Sequence, residues 1–356
     1  MIEQGGHAVW PNSGDVEKGC GSTYRGVRTL VTGADGFIGS HLVEALVRQG
    51  ASVTALACYN SFDSHGWLDH IPAPVRSSLD CRRGDIRDGA FVRRLLQDQD
   101  IVFHLAALIA IPYSYAAPQS YVETNILGTL HVLEAARQLN VRRIVHTSTS
   151  EVYGTALFVP ITESHPLRGQ SPYSASKIGA DMIAESFARS FELPVAILRP
   201  FNAFGPRQSE RAVIPSVIRQ MLDPACDAVN VGDVSTVRDF TYVDDTVSAF
   251  LALGHSPRIE YGVPYNAGSG KAVSVAELVD LLAELTECDK PVQHESSRTR
   301  PGNSEVRALL ADSSQILKHA GWRPRTDLTT GLGQTIAWWR DRIEIGQVRR
   351  EFSFAT

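Results

Sequence analysis

Short apolar runs alternate with amphipathic stretches along most of the chain. Val27–Thr32, Val53–Ala57, Leu79–Arg83, Ile101–Leu105, Arg143–Ser148 and Val195–Leu198 have the length and composition of strands. Between them Ser40–Gln49, a stretch opening at Asp85–Asp88, Pro118–Leu139 and Tyr173–Phe191 carry helical periodicity. Strands and helices in regular alternation predict a doubly wound α/β fold: a parallel sheet with helices on both faces. After Arg199–Arg207 the alternation degrades and polar loops lengthen, while helices return at Val213–Leu222, Asp245–Leu253, Ser274–Glu287, Asp312–His319 and Leu328–Arg342.

The first strand runs into Gly33, Ala34, Asp35, Gly36, Phe37, Ile38 and Gly39, and Gly50 closes the helix that follows. Strand, glycine turn and helix in this order form the dinucleotide-binding fingerprint of a Rossmann domain. Gly33 permits the tight turn, Gly36 lets backbone approach a pyrophosphate, and Gly39 lets helix pack on strand, with the helix N-terminus facing the phosphates. Gly33, Asp35, Gly36, Phe37, Ile38 and Gly39 are therefore expected to hold the cofactor. Asp85 and Ile86, after the third strand, join them near the adenine edge. Leu105, Ala106 and Ala107, after the fourth, are small enough to let the cofactor lie close. The second strand ends at Ala57, Cys58, Tyr59 and Asn60, with neither an acid for a ribose 2′-hydroxyl nor an arginine for a 2′-phosphate. NAD is preferred on this pattern and NADP stays open. The chain divides into a flexible tail over 1–24, a Rossmann domain over 25–205, and a smaller α/β substrate lobe over 206–356 that crosses back to the first domain.

Tyr173 and Lys177 stand four apart on a predicted helix, so phenol and ammonium rise from one face. A free phenol keeps its proton to about pH 10, but a nearby ammonium and the positive ring of an oxidised nicotinamide favour the phenolate. Such a group takes a proton from a sugar hydroxyl near neutral pH. Thr149, in the polar run Thr147–Ser150 after the fifth strand, is placed to share the same substrate oxygen. Glu151 adds a carboxylate able to remove a proton from carbon beside a newly formed ketone, and Ser150 completes the catalytic set. Tyr and Lys at this spacing are common on solvated helix faces. The glycine turn upstream and the Ser/Thr run at a strand end give the pair its meaning.

Tyr113 and Ser114 are expected in one wall of the sugar pocket, with Asn202 after the sixth strand. Arg211, Arg238 and Arg298 fall in loop-like settings and suit two phosphates, because guanidinium forks match phosphate oxygens. Arg300 reads as surface, His104 as a satisfied core histidine, Asn125 as a structural hydrogen bonder, and Asp88 as a cap or a ligand.

Composition narrows the partners. The 356 residues hold 34 basic against 39 acidic side chains, a net charge of -5, so there is no basic excess for nucleic acid or an anionic membrane. Cys20, Cys58, Cys81, Cys226 and Cys288 are scattered and odd in number, without a C-x-x-C pair, which argues against a disulfide framework or a zinc site. With no apolar run of about 18 residues and no signal-peptide core, a cytoplasmic, metal-free protein is expected.

The Gly33–Gly39 turn, Thr149 with Glu151, the Tyr173/Lys177 pair and the run Arg199–Pro206 together resemble the extended short-chain dehydrogenase/reductase family of sugar-nucleotide epimerases and dehydratases. The similarity spans nearly the whole chain after about Arg25. It implies a Rossmann domain for cofactor, a C-terminal lobe for a sugar nucleotide, and a homodimer built through a helix bundle. Tyr59–Leu68, Ala106–Tyr115, Gln170–Ile178 and Phe201–Pro215 look like the 4,6-dehydratases of the legionaminic acid pathway, which act on nucleotide-linked N-acetylglucosamine. Many dehydratases carry Asp-Glu after the threonine; here Ser150 and Glu151 stand as in GDP-mannose dehydratases, which opens a double role for Glu151 as base and acid. The implied reaction is 4,6-dehydration of a nucleotide hexose such as UDP-N-acetylglucosamine. A UDP-glucuronate decarboxylase, with Arg199, Arg207 or Arg238 facing the carboxylate, and a 4-epimerase, with Glu151 idle, are the alternatives.

Overall fold

The computed structural model describes residues 23–298 and 301–348. Six parallel strands, β1 Arg28–Thr32, β2 Ser52–Cys58, β3 Asp80–Gly84, β4 Ile101–His104, β5 Arg143–Thr147 and β6 Val195–Pro200, lie within one to two residues of their expected spans. A seventh strand, Pro264–Ala267, from the later part of the chain, pairs parallel with β6. The order is Pro264–Ala267, β6, β5, β4, β1, β2, β3. Strand order reverses between β1 and β4, and the crevice beyond their C-terminal ends is where doubly wound sheets bind ligands.

Alternate residues of each strand feed opposite cores. Val31 points into the cluster with Leu42, Val43 and Leu46 of helix α1 (Phe37–Arg48) and with Val247 and Phe250 of the helix Val243–His255. Leu30 points into the other, with Val132, Leu133 and Ala136 of Gly128–Gln138 and Ala184 of Pro172–Phe191. Most of the tail expected over 1–24, including Cys20, lies outside the described residues, as does Arg300. Tyr24, at the tail's expected end, belongs to the core: it is buried, and its hydroxyl donates to the Leu251 carbonyl at 2.7 Å.

The long helix expected over Pro118–Leu139 is interrupted. Pro118–Tyr121 leads into a π-helical turn over Val122–Leu127 before Gly128–Gln138 continues. Asn125 sits in that turn, fully buried, accepting from Leu108 N at 2.8 Å and donating to Leu108 O and Ser176 Oγ, both at 2.9 Å. It ties the loop after β4 to the helix bearing Tyr173 and Lys177. Asn125→Ala strands the half-buried Leu108 amide and carbonyl and takes a donor from the buried Ser176 hydroxyl, and unfolding by urea should show a loss of about 2 kcal/mol. A loss below about 0.5 kcal/mol would mean that the loop holds itself.

The polar residues under the crevice settle their own protons. Thr32 Oγ1 accepts from Leu105 N and Ala106 N, so its proton points to His104 Nδ1 at 2.8 Å. Thr129 donates to Asn125 O at 2.6 Å and must therefore accept from His104 Nε2 at 3.1 Å. Burial holds His104 well below the usual imidazole range, consistent with this neutral tautomer. His104 is thus the satisfied core histidine that its setting predicts.

Candidate active site

The glycine turn is shaped for close approach. Gly33 has φ +68°, and a Cβ there would stand 2.8 Å from Ala106 N, so a side chain would push β4 away from β1. At Gly39 a Cβ would overlap the Gly33 carbonyl, which is the helix-on-strand contact expected of it. Gly36 caps α1 without any side-chain hydrogen bond to the first turn, leaving that end of the helix to an anion. Phe37 and Ile38 open the helix, half-buried. These features fit the diphosphate of a dinucleotide. Asp35, in the turn, reaches the end of β2: its Oδ2 accepts from Cys58 N at 3.1 Å, and burial raises its pKa.

The other cofactor candidates divide. Leu105 and Ala106 are pinned to Thr32 beside Ala107 at the mouth of the crevice. Ile86 is buried against Gly128, where a Cβ would meet its side chain. Asp85 is partly exposed and forked to Arg87, with Oδ2 2.9 Å from Nε and 2.5 Å from Nη2. Asp88 proves to be a helix cap, accepting from Phe91 N at 3.0 Å.

Ser171 fixes where the catalytic helix starts. It accepts from Ser174 N at 3.1 Å while Ser174 Oγ accepts from Ser171 N at 3.0 Å, and Pro172 takes the first helical position. Tyr173 therefore lies in the first turn, buried, with the Tyr121 ring edge-on at 6.3 Å. One turn later Lys177 Nζ donates to the Thr147 carbonyl at 2.5 Å. Thr149 caps the short turn Ser150–Tyr153 by accepting from Glu151 N at 3.2 Å, and its hydroxyl lies close enough to the Tyr173 phenol to act on its ionisation. Glu151 rides on that turn, half-buried, close enough for its charge to act on the phenol, with no hydrogen bond from its carboxylate to another described residue. Ser150 is buried beside it.

The electrostatics correct one expectation. Burial pushes the Tyr173 phenol far above its ordinary range; the nearby Thr149 hydroxyl opposes this, while Glu151, Tyr121 and Asp181 add to it. Lys177, expected to draw the phenol toward ionisation, is itself pushed down by burial to about 8, with Asp181 opposing. The protein alone thus keeps the phenol protonated, because the cost of burying a phenolate outweighs the stabilisation its neighbours give.

The substrate candidates are more dispersed. Tyr113 is partly exposed, but Ser114 is fully buried and its hydroxyl donates to Ile111 O at 2.7 Å within its own short helix. Asn202 Nδ2 donates to Asp239 O at 3.2 Å. Arg238 is buried and paired with Glu305 at 2.9 Å, Arg298 donates to Glu295 at 2.5 Å and Ser216 Oγ at 3.1 Å, and Arg211 lies exposed by Ser209. Residues 303–305 meet the segments flanking the site: Tyr115 OH meets Ser304 Oγ at 2.5 Å and Gln170 Nε2 donates to Asn303 O at 3.0 Å. Sequence reasoning places Tyr115 in the pocket-wall segment without its Ser304 partner, and misses Gln170 and Glu305, whose partners are far along the chain. The arginines a decarboxylase would need are all engaged. Arg199 is buried on Asp181 and Tyr153, Arg207 pairs with Glu44 at 2.6 Å, and Arg238 holds Glu305.

Comparison with known proteins agrees with this geometry. Residues 30–335 match the family described as GDP-mannose 4,6 dehydratase. A dTDP-glucose 4,6-dehydratase of Actinoplanes sp. is 34% identical over 320 residues, covering 88% of this chain and 98% of that protein. A UDP-glucose 4-epimerase of Mycolicibacterium smegmatis is 31% identical, covering 89% of this chain and 100% of that one. Among solved structures, a dTDP-glucose 4,6-dehydratase of Streptomyces venezuelae with NAD bound superposes with a TM-score of 0.80 at 31% identity, over 90% of this chain and 98% of that one. The chain belongs to the NAD-dependent sugar-nucleotide epimerase/dehydratase family of extended short-chain dehydrogenases/reductases, with NAD as its cofactor. It is an enzyme of that family, and no described helix is long and apolar enough to cross a membrane.

Proposed function

We propose that the protein is a cytoplasmic sugar-nucleotide 4,6-dehydratase acting on a nucleotide-linked hexose such as UDP-N-acetylglucosamine. The observation that carries this reading is the Glu151 carboxylate, without a hydrogen-bond partner among the described residues, set on the turn that Thr149 caps and close enough for its charge to act on the Tyr173 phenol. Alcohol oxidation alone has no use for that carboxylate.

The turn Gly33–Gly39 would hold the dinucleotide diphosphate, and Asp35, Ala106 and Ala107 would hold the rest of the cofactor. NAD, when bound, supplies a reversible hydride acceptor and the positive ring that offsets burial of the phenol. Tyr173 accepts the proton of the sugar 4-hydroxyl, and Thr149 orients that oxygen. The 4-ketone makes the neighbouring C5 hydrogen acidic, and Glu151 removes it. In its protonated form Glu151 then assists departure of the C6 hydroxyl as water, since Ser150 offers no acid. The hydride borrowed from C4 ends on C6, so no net oxidation occurs.

A 4-epimerase is the second reading, favoured by the M. smegmatis relative. Incubation with UDP-N-acetylglucosamine and UDP-glucuronate, followed by product mass, separates the reactions. Loss of one water is expected from the first and no change in the second. Loss of carbon dioxide from UDP-glucuronate, or an unchanged mass with an inverted C4, would contradict the proposal. Val122, Leu127, Met182 and Phe191 expose apolar surface on two helical segments that pack side by side, which suits a homodimer.

A further inference from the structure

The helix bearing Tyr173 and Lys177 carries a third ionisable group one turn on. Tyr173, Lys177 and Asp181 are spaced four apart and share a face. Asp181 is 0% exposed and Lys177 4%. A buried carboxylate is costly unless well paired. Asp181 Oδ2 accepts from Ser148 Oγ at 2.7 Å, Arg199 Nη2 at 3.0 Å and Arg199 Nε at 3.2 Å, while Oδ1 faces His146 Nε2 at 3.3 Å. His146 and Ser148 flank Thr147, whose carbonyl receives the Lys177 ammonium. Carboxylate and ammonium thus grip the same strand end from one helix.

We propose that Asp181 is the counter-charge and positioning residue of Lys177, seating the ammonium on Thr147 O and keeping it charged for the proton transfer at Tyr173. This rests on the Tyr173/Lys177 reading above. The surrounding groups leave Asp181 that task. On the same helix Tyr173 is the other ionisable neighbour. From β4 and β5 come His104 and His146, both pushed down by burial and neutral, and from β6 comes Arg199, already paired with Asp181. Glu151 and Tyr153 come from the turn after β5 and Tyr121 from Pro118–Tyr121; Glu151 and Tyr121 act on the phenol, and Tyr153 OH accepts from Arg199 and donates to Asn266.

Neutralising Asp181 has the same sign on both members of the pair. It removes the charge that opposes the lowering of Lys177, so the ammonium is lost at lower pH. It also removes a charge that raises Tyr173, so the phenol ionises at lower pH. The pH profile of turnover, measured on full-length enzyme with saturating NAD and nucleotide sugar, should move acidward on both limbs in Asp181→Asn, the alkaline limb by about one pH unit or more. Asp181→Glu should leave the limbs in place. The double variant Asp181→Asn/Arg199→Met leaves no unpaired guanidinium in the core and should shift in the same direction by less, so the question stays answerable if the single variant does not fold. Rates that fall at every pH while the limbs stay at wild-type values would overturn the proposal and mark Asp181 as structural only. Full activity in Tyr173→Phe would instead overturn the reading on which it rests.

Discussion

Tyr173→Phe is expected to lower turnover by about 1,000-fold while leaving NAD affinity within about two-fold of wild type. A positioned general base is worth about 100- to 10,000-fold, and this site has no substitute. The Thr149 hydroxyl is a far weaker base, and the Lys177 ammonium is committed to Thr147 O at 2.5 Å. The phenol is buried, so water does not readily take its place. The loss corresponds to about 4 kcal/mol of transition-state stabilisation. Steady-state rates with a cofactor-binding titration check it; a variant retaining more than about a tenth of wild-type turnover would exclude Tyr173 as the base.

Glu151→Gln is expected to divide the reaction. The backbone bond from Glu151 N to Thr149 Oγ1 is kept, so the turn and its contact with Tyr173 persist. Oxidation at C4 should proceed, but an amide cannot remove the C5 proton. Absorbance of reduced cofactor should therefore rise on mixing with substrate and persist, and product should form at least about 100-fold more slowly. Wild-type product formation without that accumulation would assign the carbon base elsewhere. Tyr173→Phe, by contrast, should show neither product nor cofactor reduction, so the two variants distinguish the two proton transfers.

What the sequence discloses follows from the range of the contacts. The glycine turn and the Tyr173/Lys177 pair were legible because both are local: a few residues, a known turn and one helical period dictate their geometry. The sheet was legible because buried parallel strands read as short apolar runs. The π-helical turn was not, since one inserted residue leaves the apolar period of Pro118–Leu139 nearly unchanged. Arg199 illustrates the harder case. Its place after a strand in a run ending at Gly205 and Pro206 suggests a ligand, yet burial and the pairing with Asp181 make it part of the floor. Asp181 carried a usable signal, the same four-residue step continued once more along the helix. Arg238 with Glu305 and Tyr115 with Ser304 join residues at separations that no local pattern encodes.

The most direct test of the account follows the hydride. Enzyme, NAD and nucleotide hexose deuterated at C4 are incubated in ordinary water, and the product is analysed by mass and NMR. The account predicts loss of one water with the label retained and moved to C6, the C5 hydrogen having come from solvent. A label still on C4, or lost to solvent, would contradict it.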